Sequence, residues 1–326
     1  MRHLFLIDGS GFIFRAYHAL PPMTRPDGTP VNAVYGYTSM LMRLIEDTEA
    51  DHLAVVFDTA RKTFRNDIYP EYKANRPPVD EELVPQFELV REATRAMGLA
   101  CVEMAGFEAD DLIATYAAQA EALGADVTIV SSDKDLMQLV SERVTMYDAM
   151  KNRPIGAAEV MEKFGVGPDR VIDVQALAGD SSDNVPGVQG IGVKTAALLV
   201  NEYGDLDGVL ANAGEIKQPK RRQMLTEQAD QARVSRDLVT LLRDAPVETE
   251  LNSFARRPPD GAALLAFLDA QGFKSLSAKM ESRLGPMPAS DGPDTDGPAG
   301  EAPAPEQQAP RKAATYEAVQ DKARLA

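Results

Sequence analysis

Residues 106–133 read GFEADDLIATYAAQAEALGADVTIVSSD and place a helix pattern directly before a strand pattern. In the helix pattern, apolar residues from Leu112 to Ala120 share one face, and Gly124 marks its end. The segment at 126–131, DVTIVS, is a short β-branched apolar run typical of a buried strand. A helix that leads into such a strand predicts an α/β fold with a parallel sheet.

The same alternation extends over the first half of the chain. Further strand patterns lie at 3–7, 52–57, 98–104 and 143–147, and a further helix pattern lies at 81–98. From about residue 157 to 283 the patterns are mostly helical, without comparable strands. We therefore predict a parallel-sheet domain at 1–175 and a helical domain at 176–283.

The C-terminal part differs in composition. Seven of the 22 prolines fall between residues 284 and 314, where large apolar residues are almost absent, which predicts a disordered linker. Residues 315–326, TYEAVQDKARLA, begin like a new element. They predict the stub of a following domain and hence a chain cut from something longer.

Composition limits the function classes. A single cysteine, Cys101, rules out a disulfide framework and cysteine zinc sites, and the three histidines lack metal-ligand spacing. No apolar run approaches the roughly 18 residues of a membrane span, so we predict a cytoplasmic protein without a membrane partner. The net charge of −16 argues against nucleic acid unless the acids are concentrated in one place.

Acidic residues follow the predicted strands. The acids in question are Asp8, Asp58, Glu108, Asp110, Asp111, Asp133 and Asp135. The carboxyl ends of parallel strands meet at one edge of the sheet, where ligands bind, so these acids should converge there. Helix capping explains a single aspartate of this kind, but its repetition after four strands favours a shared site.

Clustered carboxylates without histidine or cysteine favour Mg²⁺, for which Mn²⁺ can substitute. Two such ions form the usual clamp for in-line displacement at a phosphodiester. Asp180 and Asp183 stand three residues apart, a spacing that presents both carboxylates to one side of a helical turn. We expect this pair to complete the metal site from the helical domain.

A glycine-rich turn at 187–192 follows this acid pair and leads into a helix pattern. It is no Walker A loop, because Val193 separates the last glycine from Lys194. Backbone N–H groups at a helix start bind phosphate, so the turn suits contact with a DNA backbone. An ordinary connection between two helices is the alternative. The expected DNA contacts are Gly187, Gly190, Ile191, Gly192, Lys194 and Thr195.

A basic run at 61–78, RKTFRNDIYPEYKANRPP, follows Asp58 and interleaves cations with aromatic residues. Single-stranded nucleic acid binds such a combination, so Arg65 and Tyr72 are expected DNA contacts. A solvated basic loop is the alternative.

Several motifs together resemble the 5′-nuclease (flap endonuclease) family, in particular the 5′→3′ exonuclease domain at the N-terminus of bacterial DNA polymerase I. They are IDGSGFIFRAYHALPP, VVFD, TFRNDIYPEYKANRPP, GFEADDLIATYA, SSDKDLMQLV and ALAGDSSDNVPGVQGIGVKTAALL. The resemblance covers residues 1 to about 283. It implies a PIN-like or resolvase-like nuclease domain and a helix-three-turn-helix DNA-binding domain.

The resemblance also assigns roles. It implies an arch at about 61–95, in which Lys73 and Arg76 contact the scissile phosphate, and places Arg15 and Tyr17 near the entering strand. Some members bind K⁺ on backbone carbonyls of the glycine turn, which makes K⁺ a further expected ion. The implied two-metal ligands are Asp8, Asp58, Glu108, Asp110, Asp111, Asp133, Asp135, Asp180 and Asp183.

The implied function is a metal-dependent 5′→3′ exonuclease and 5′-flap endonuclease in RNA primer removal, DNA replication and repair, without polymerase activity. Its partners would be DNA with 5′ ends, flaps or nicks, and RNA–DNA primer junctions. The resemblance implies a monomer that acts at the nucleoid. Two alternatives stay open: a junction-binding module without catalysis, which the intact acid set disfavours, and a PIN-type ribonuclease, which the helical domain disfavours.

Overall fold

Six strands form one sheet in the order β3-β2-β1-β4-β5-β6, in a computed structural model that describes residues 1–60 and 62–284. The strands are β1 His3–Asp8, β2 His52–Val56, β3 Ala100–Val102, β4 Asp126–Val130, β5 Val144–Asp148 and β6 Arg153–Ile155. All neighbouring strands run parallel except β5 and β6. The predicted parallel sheet is confirmed, with β6 as an antiparallel addition.

Helices connect and follow the strands. The α-helices are α1 Gly9–Ala19, α2 Asn32–Asp47, α3 Arg65–Ile68, α4 Gln86–Ala96, α5 Ala109–Ala122, α6 Ala157–Phe164, α7 Val171–Ala178, α8 Val193–Tyr203, α9 Leu206–Ala211, α10 Pro219–Glu227, α11 Ala229–Val239, α12 Gly261–Ala270 and α13 Lys274–Leu284. Short 3₁₀ turns lie at Asp135–Leu139, Pro168–Arg170, Ala213–Glu215 and Leu251–Phe254. Helix α4 starts five residues later than its pattern predicted, because residues 81–85 form a turn.

The sheet buries both faces, as the period-two alternation of a strand requires. On β2, Ala54 and Val56 face a core with α5 and the helices from α6 to α11, whereas Leu53 and Val55 face α1, α2 and α4. Both faces are apolar because helices cover each of them.

The last two helices return to the sheet. Leu264 and Leu268 of α12 and Leu276 of α13 lie in the same core as Leu53. Part of the predicted helical domain at 176–283 thus packs with the predicted sheet domain, and Met1–Gly285 form one compact unit. The predicted linker beyond residue 284 and the predicted stub at 315–326 lie outside the described residues. In the described part of the chain, no helix has the length and apolar composition for crossing a membrane.

Candidate active site

Asp8 stands where the central strand β1 becomes α1. One carboxylate oxygen accepts the Gly11 N–H at 3.0 Å and so caps α1, and the other accepts the Ser131 hydroxyl at 2.9 Å. Ser131 directly follows β4, the neighbouring strand. Asp8 is therefore fixed at the carboxyl edge of the sheet, where the sequence predicted it.

Asp58 follows β2 and links three elements at the same edge. It accepts the Ser10 hydroxyl of α1 at 2.7 Å and the Ala109 N–H at the start of α5 at 2.9 Å. The first turn of α5 also carries Asp110. The strand-end acids are thus brought together by the helix that the opening sequence predicted.

Asp8, Asp58, Asp110 and Asp133, here called the open acids, have no lysine or arginine within salt-bridge distance among the described residues. Burial, reinforced by Asp58 and Asp133, raises the pKa of Asp8 to about 6. Burial raises the pKa of Asp110 well above its usual range, and Asp133, Asp8 and Asp58 add to this effect. The open acids therefore share excess negative charge.

A second group, here called the paired acids, comprises Glu108, Asp180 and Asp183. Lys73 Nζ lies 2.7 Å from Glu108 and 3.6 Å from Asp183, and Arg76 lies 2.5 Å from Asp183. Lys134 pairs with Asp180. These acids line one cleft together with Asp110 and Asp135. The cleft therefore contains acids that are paired with lysine or arginine and one acid, Asp110, that has no such partner among the described residues.

Asp135 lies between the two groups. Its carboxylate accepts a hydrogen bond from the Gln175 amide of α7 at 2.5 Å, and Lys134 Nζ is 3.5 Å away. Burial, with a contribution from Asp133, raises the pKa of Asp135 to about 6. Sequence reasoning missed both neighbours. The position of Lys134 between two acids was a usable signal, whereas nothing in the sequence pointed to Gln175.

Asp111 does not belong to the cleft, and its prediction as a metal ligand is corrected. Its side chain is fully buried, and both oxygens are used: Arg65 donates to each, at 2.7 and 2.8 Å. The backbone N–H groups of Glu108 and Leu242 donate as well. Four hydrogen bonds fill the acceptor sites of a carboxylate, so Asp111 holds the fold together instead.

Arg65 and Tyr72 were predicted as DNA contacts, and burial contradicts this. Arg65 is 1% exposed and also donates to the carbonyl oxygens of Leu238 and Thr240. Tyr72 is 5% exposed, and its hydroxyl donates to Glu108 and Asp183 at 3.3 Å. Both side chains line the acidic cleft and hydrogen-bond to protein groups.

The segment that carries Asp180 and Asp183 is a bridged turn, not the helical turn that the spacing predicted. Asp180 and Val185 exchange two backbone hydrogen bonds, at 2.9 and 2.7 Å. The turn still presents both acids to the cleft. Gly179 and Gly187 pass so closely that a Cβ on Gly187 would lie 2.4 Å from the Gly179 nitrogen.

The glycine turn divides into buried and exposed parts. Gly187 is buried, and the Ile191 side chain is only 4% exposed. The Ile191 side chain therefore does not reach DNA, and the predicted DNA contacts of both residues are limited to backbone atoms. Gly190, Gly192 and Lys194 are exposed, and Thr195 is half-buried on α8. The exposed residues leave the start of α8 accessible to a phosphate.

The predicted arch residues fold onto the cleft. The Lys73 N–H donates to the Asp183 carbonyl at 2.9 Å, and Asn75 donates to Ser181 O at 2.7 Å. Lys73 has φ of 55°, a left-handed conformation that is uncommon outside glycine. Tight local contacts therefore hold the lysine over the acids.

Two predicted residues of α1 lie apart from the acids. Arg15 is exposed, and Tyr17 is half-buried. A hydrogen bond between Tyr17 and Asp80 raises the pKa of Tyr17 to about 12. Tyr17 thus joins α1 to the segment that precedes α4, and Arg15 is available to a ligand.

The donor set fits hard divalent cations. No three of the acids in the described ranges already converge at metal-ligand distance. The open acids nevertheless provide oxygen donors that no described lysine or arginine approaches within salt-bridge distance. Burial, reinforced by the neighbouring acids, raises the pKa of two of them, Asp8 and Asp110. Mg²⁺ prefers such ligands.

The raised pKa values of Asp8 and Asp135 predict a stability change with pH. The pKa of each carboxyl is about 6 in the folded chain and near 4 in the unfolded chain. The folded chain therefore binds protons more strongly, and the free energy of unfolding rises as the pH falls from above 6 towards 4. In chelator, the free energy of unfolding should rise by on the order of 1 kcal/mol from about pH 7.5 to about pH 5.5. Urea unfolding across this range measures it.

Asp135→Asn is the control for this prediction, because it removes one of the two carboxyls whose pKa is raised to about 6. Its rise should be smaller than that of the unsubstituted chain. A free energy of unfolding that decreases from about pH 7.5 to about pH 5.5, by the same amount in both proteins, would contradict the prediction.

Comparison with known proteins gives the family. The model for the N-terminal resolvase-like domain of 5′-3′ exonucleases matches residues 3–165, and that for their C-terminal SAM fold matches residues 166–262. A 5′-3′ exonuclease of Aquifex aeolicus is 36% identical over 281 residues, which cover 86% of this chain and 96% of that protein.

One further relative and one solved structure are similar to this chain. A DNA polymerase I of Rhizobium leguminosarum is 57% identical over 286 residues; these cover 85% of this chain and only 28% of that protein. The structure of a bacteriophage T5 flap endonuclease in a pseudo-enzyme-product complex with DNA and metal ions has the same fold, with a TM-score of 0.62 and 22% identity. The match covers 87% of this chain and 98% of that one.

The sheet, the acidic edge and the helices after it thus define a resolvase-like α/β unit joined to a helical SAM-fold unit. The chain belongs to the 5′-3′ exonuclease family.

Proposed function

We propose that this chain is a metal-dependent 5′→3′ exonuclease and 5′-flap endonuclease that hydrolyses DNA phosphodiesters. One observation carries the proposal: Asp110, one of the open acids, lines the same cleft as Glu108 and Asp183, the two acids that pair with Lys73 and Arg76. Such a cleft offers ligands to cations and donors to a phosphate. The names of the Aquifex exonuclease and the T5 flap endonuclease support it.

The open acids and Asp135 are the proposed ligands of two Mg²⁺ ions, for which Mn²⁺ can substitute. When bound, the ions would lower the pKa of the attacking water and offset charge at the phosphate. Ser131 and Gln175 orient Asp8 and Asp135, as the hydrogen-bond partners of metal ligands usually do. Glu108, Asp180 and Asp183 would become additional metal ligands once the lysine and arginine side chains that pair with them move away.

Lys73 and Arg76 are the proposed phosphate contacts. Lys73 now pairs with Glu108 and Asp183, Arg76 pairs with Asp183, and the Lys73 side chain is only 18% exposed. A phosphate that enters the cleft competes with these carboxylates for the same donors. The two cations would then stabilise charge that develops during displacement, where a preorganised donor acts most strongly.

The exposed part of the glycine turn is the proposed duplex contact. Gly190, Gly192 and Lys194 lie at the start of α8, where backbone N–H groups and one cation suit a phosphate. We also propose that backbone carbonyls of this turn bind a K⁺ ion.

The proposed substrates are DNA with free 5′ ends, flaps or nicks, and RNA–DNA primer junctions. These substrates would place the activity at chromosomal DNA in the cytoplasm, in replication and repair, with the protein acting as a monomer.

Product mapping on a 5′-labelled flap tests the proposal. Cleavage near the junction in Mg²⁺, and none in chelator, is the expected result. Binding of the flap without any cleavage in Mg²⁺ or Mn²⁺ would favour a junction-binding module. Preferential cleavage of single-stranded RNA would favour a ribonuclease.

Lys73→Ala should slow single-turnover flap cleavage at saturating Mg²⁺ and DNA by at least tenfold, within the roughly 10²–10³ typical for a preorganised donor. DNA affinity should change only modestly, because the contact strengthens in the transition state. Rapid-quench kinetics and fluorescence anisotropy measure the two quantities.

Lys62→Ala is the matched control, since Lys62 is exposed in the same basic run and has no contact with the cleft acids. Its rate at saturation should stay unchanged. Equal losses of affinity alone in both variants would remove Lys73 from the catalytic residues.

A further inference from the structure

Gln175 of α7 is a buried glutamine that contacts an acid of the cleft. It is 3% exposed, and its neighbours along the helix, Val174, Ala176 and Leu177, are buried apolar residues. Glutamine is mostly exposed in folded proteins. A leucine or methionine would fill the same space without a polar group to desolvate. The amide at position 175 therefore needs partners that repay its burial.

The two polar atoms of the Gln175 amide differ in this respect. Nε2 donates to Oδ1 of Asp135 at 2.5 Å. Oε1 is buried and has no hydrogen-bond partner. Most buried polar side-chain atoms are hydrogen-bonded, so an atom without a partner requires an explanation. Because an amide oxygen accepts hydrogen bonds and cannot donate them, the partner that Oε1 suits is a proton donor.

The Gln175 oxygen also differs from the other buried side-chain atoms without partners in the described ranges, which are the hydroxyls of Thr38 and Thr63. A hydroxyl can donate or accept, and it rotates to suit its surroundings. The bond from Nε2 to Asp135 instead fixes the amide of Gln175. Since both amide atoms are attached to one carbon, Oε1 is held beside the Asp135 carboxylate.

The lysine next to Asp135 does not supply the donor. Lys134 Nζ lies 3.5 Å from Oδ1 of Asp135 and donates to Asp180. Oδ2 of Asp135 accepts no hydrogen bond from the part of the chain that the structure describes, and Asp135 lines the cleft. Oδ2 of Asp135 and Oε1 of Gln175 are therefore two neighbouring acceptors that no described donor satisfies.

The surroundings of these two acceptors favour a donor with positive charge. Asp133 accepts the Asp135 N–H at 2.9 Å, and Asp180 lines the same cleft. Mg²⁺ usually keeps several of its water molecules when it binds to proteins. Water on a cation donates stronger hydrogen bonds than bulk water, because the charge of the cation assists them. A hydrated divalent cation is thus the ligand that suits both acceptors.

We propose that Gln175 binds the hydration shell of the cation that Asp135 holds. Its Oε1 accepts a hydrogen bond from a water molecule of that cation, while its Nε2 fixes the Asp135 carboxylate. Gln175 would then favour a cation that retains its water. The inference rests on the proposed function for the cation, and it adds a contact that the orientation of Asp135 alone does not require.

The test uses Gln175→Met, which keeps the side-chain volume and removes both polar atoms. Gln271→Met is the matched control, because Gln271 is also buried, at 5% exposed, and its oxygen accepts from Arg25 at 3.2 Å, at the end of α12. A third variant, Gln175→Glu, keeps an acceptor at the site.

Calorimetric titration without DNA compares two probes, Mg²⁺ and cobalt(III) hexaammine. The ammonia ligands of the cobalt complex donate hydrogen bonds but do not exchange, so carboxylates cannot bind its metal directly. A contact to the hydration shell affects both probes, whereas the orientation of a direct metal ligand affects Mg²⁺ alone.

Gln175→Met should weaken Mg²⁺ binding by about 10–100-fold. It should weaken binding of the cobalt complex by about tenfold, as the loss of one hydrogen bond to a charged group does. Gln175→Glu should bind the cobalt complex at least as tightly as the unsubstituted protein does, and Gln271→Met should match the unsubstituted protein with both probes. A loss for Mg²⁺ alone, or equal losses in Gln175→Met and Gln271→Met, would overturn the inference.

A second measurement needs no substitution at position 175. In unsubstituted protein with ¹³C-labelled glutamine, both probes should shift the NMR signal of the Gln175 side-chain carbonyl carbon and leave that of Gln271 in place. If neither probe moves the Gln175 signal, the inference is wrong, whether or not Gln175→Met folds.

Cleavage keeps the two proposals apart. If the unsubstituted protein cleaves no flap in Mg²⁺, the proposed function fails, whereas weaker binding of both probes to Gln175→Met still supports the inference. If the unsubstituted protein cleaves the flap and Gln175→Met binds both probes normally, the inference fails and the proposed function stands.

Discussion

Replacing Asp133 and Asp135 together by asparagine should lower single-turnover cleavage in Mg²⁺ by at least about 10³-fold, more than the loss of a single preorganised group. Asparagine keeps the shape and accepts the same backbone hydrogen bond that Asp133 now receives from the Asp135 N–H. It removes two of the charges that are proposed to hold the metal. DNA binding should be equal or tighter, since less negative charge faces the phosphates.

Glu142→Gln/Glu162→Gln is the control, because it removes two exposed acids that lie outside the cleft. Its turnover should be unchanged. Calorimetric titration with Mg²⁺ gives a second readout, and the double asparagine variant should lose measurable binding. Near-normal turnover of that variant would exclude Asp133 and Asp135 from the metal site.

Arg65→Ala should destabilise the fold by about 3–5 kcal/mol, the usual loss when one partner of a buried ion pair is removed. Asp111 would keep its charge in a fully buried position without the two donors at 2.7 and 2.8 Å. The backbone carbonyls of Leu238 and Thr240 would lose a donor as well. Urea unfolding measures this loss.

Arg95→Ala removes an arginine from an exposed pair, in which Glu88 lies at 3.0 Å. It should cost less than about 1 kcal/mol, as surface pairs do. A double variant, Arg65→Met/Asp111→Leu, should recover much of the loss, because it leaves no buried charge alone. A cost for Arg65→Ala no larger than that for Arg95→Ala would show that the buried pair is not what joins these elements.

The features that could be predicted from the sequence depend on neighbours along the chain. The strand periodicity placed β1, β2 and β4, and the acid after each strand followed from strand direction alone. Strand β6 was missed, because it has only three residues and includes Pro154. Such a short segment carries no usable period, and its pairing with β5 is set by the turn between them.

The errors concern side chains whose partners are distant in sequence. Asp110 and Asp111 are adjacent, yet a step of one residue turns a helical side chain by about 100°, so one faces the cleft and the other faces Arg65. Arg65 lies in a basic run that looks solvent-exposed, but its partner is 46 residues away. Gly187 and Gly190 likewise look equivalent until the close approach to Gly179 distinguishes them.

The side chains of Lys73, Arg76 and Lys134 act as counterions to the paired acids. On the proposed function, binding at this cleft would be an exchange, in which a divalent cation displaces an ammonium or guanidinium group and a phosphate accepts that group. By thermodynamic linkage, DNA must then raise the affinity for metal by the same factor as metal raises the affinity for DNA. The metal affinity of the free protein would then understate its affinity in the presence of a substrate strand.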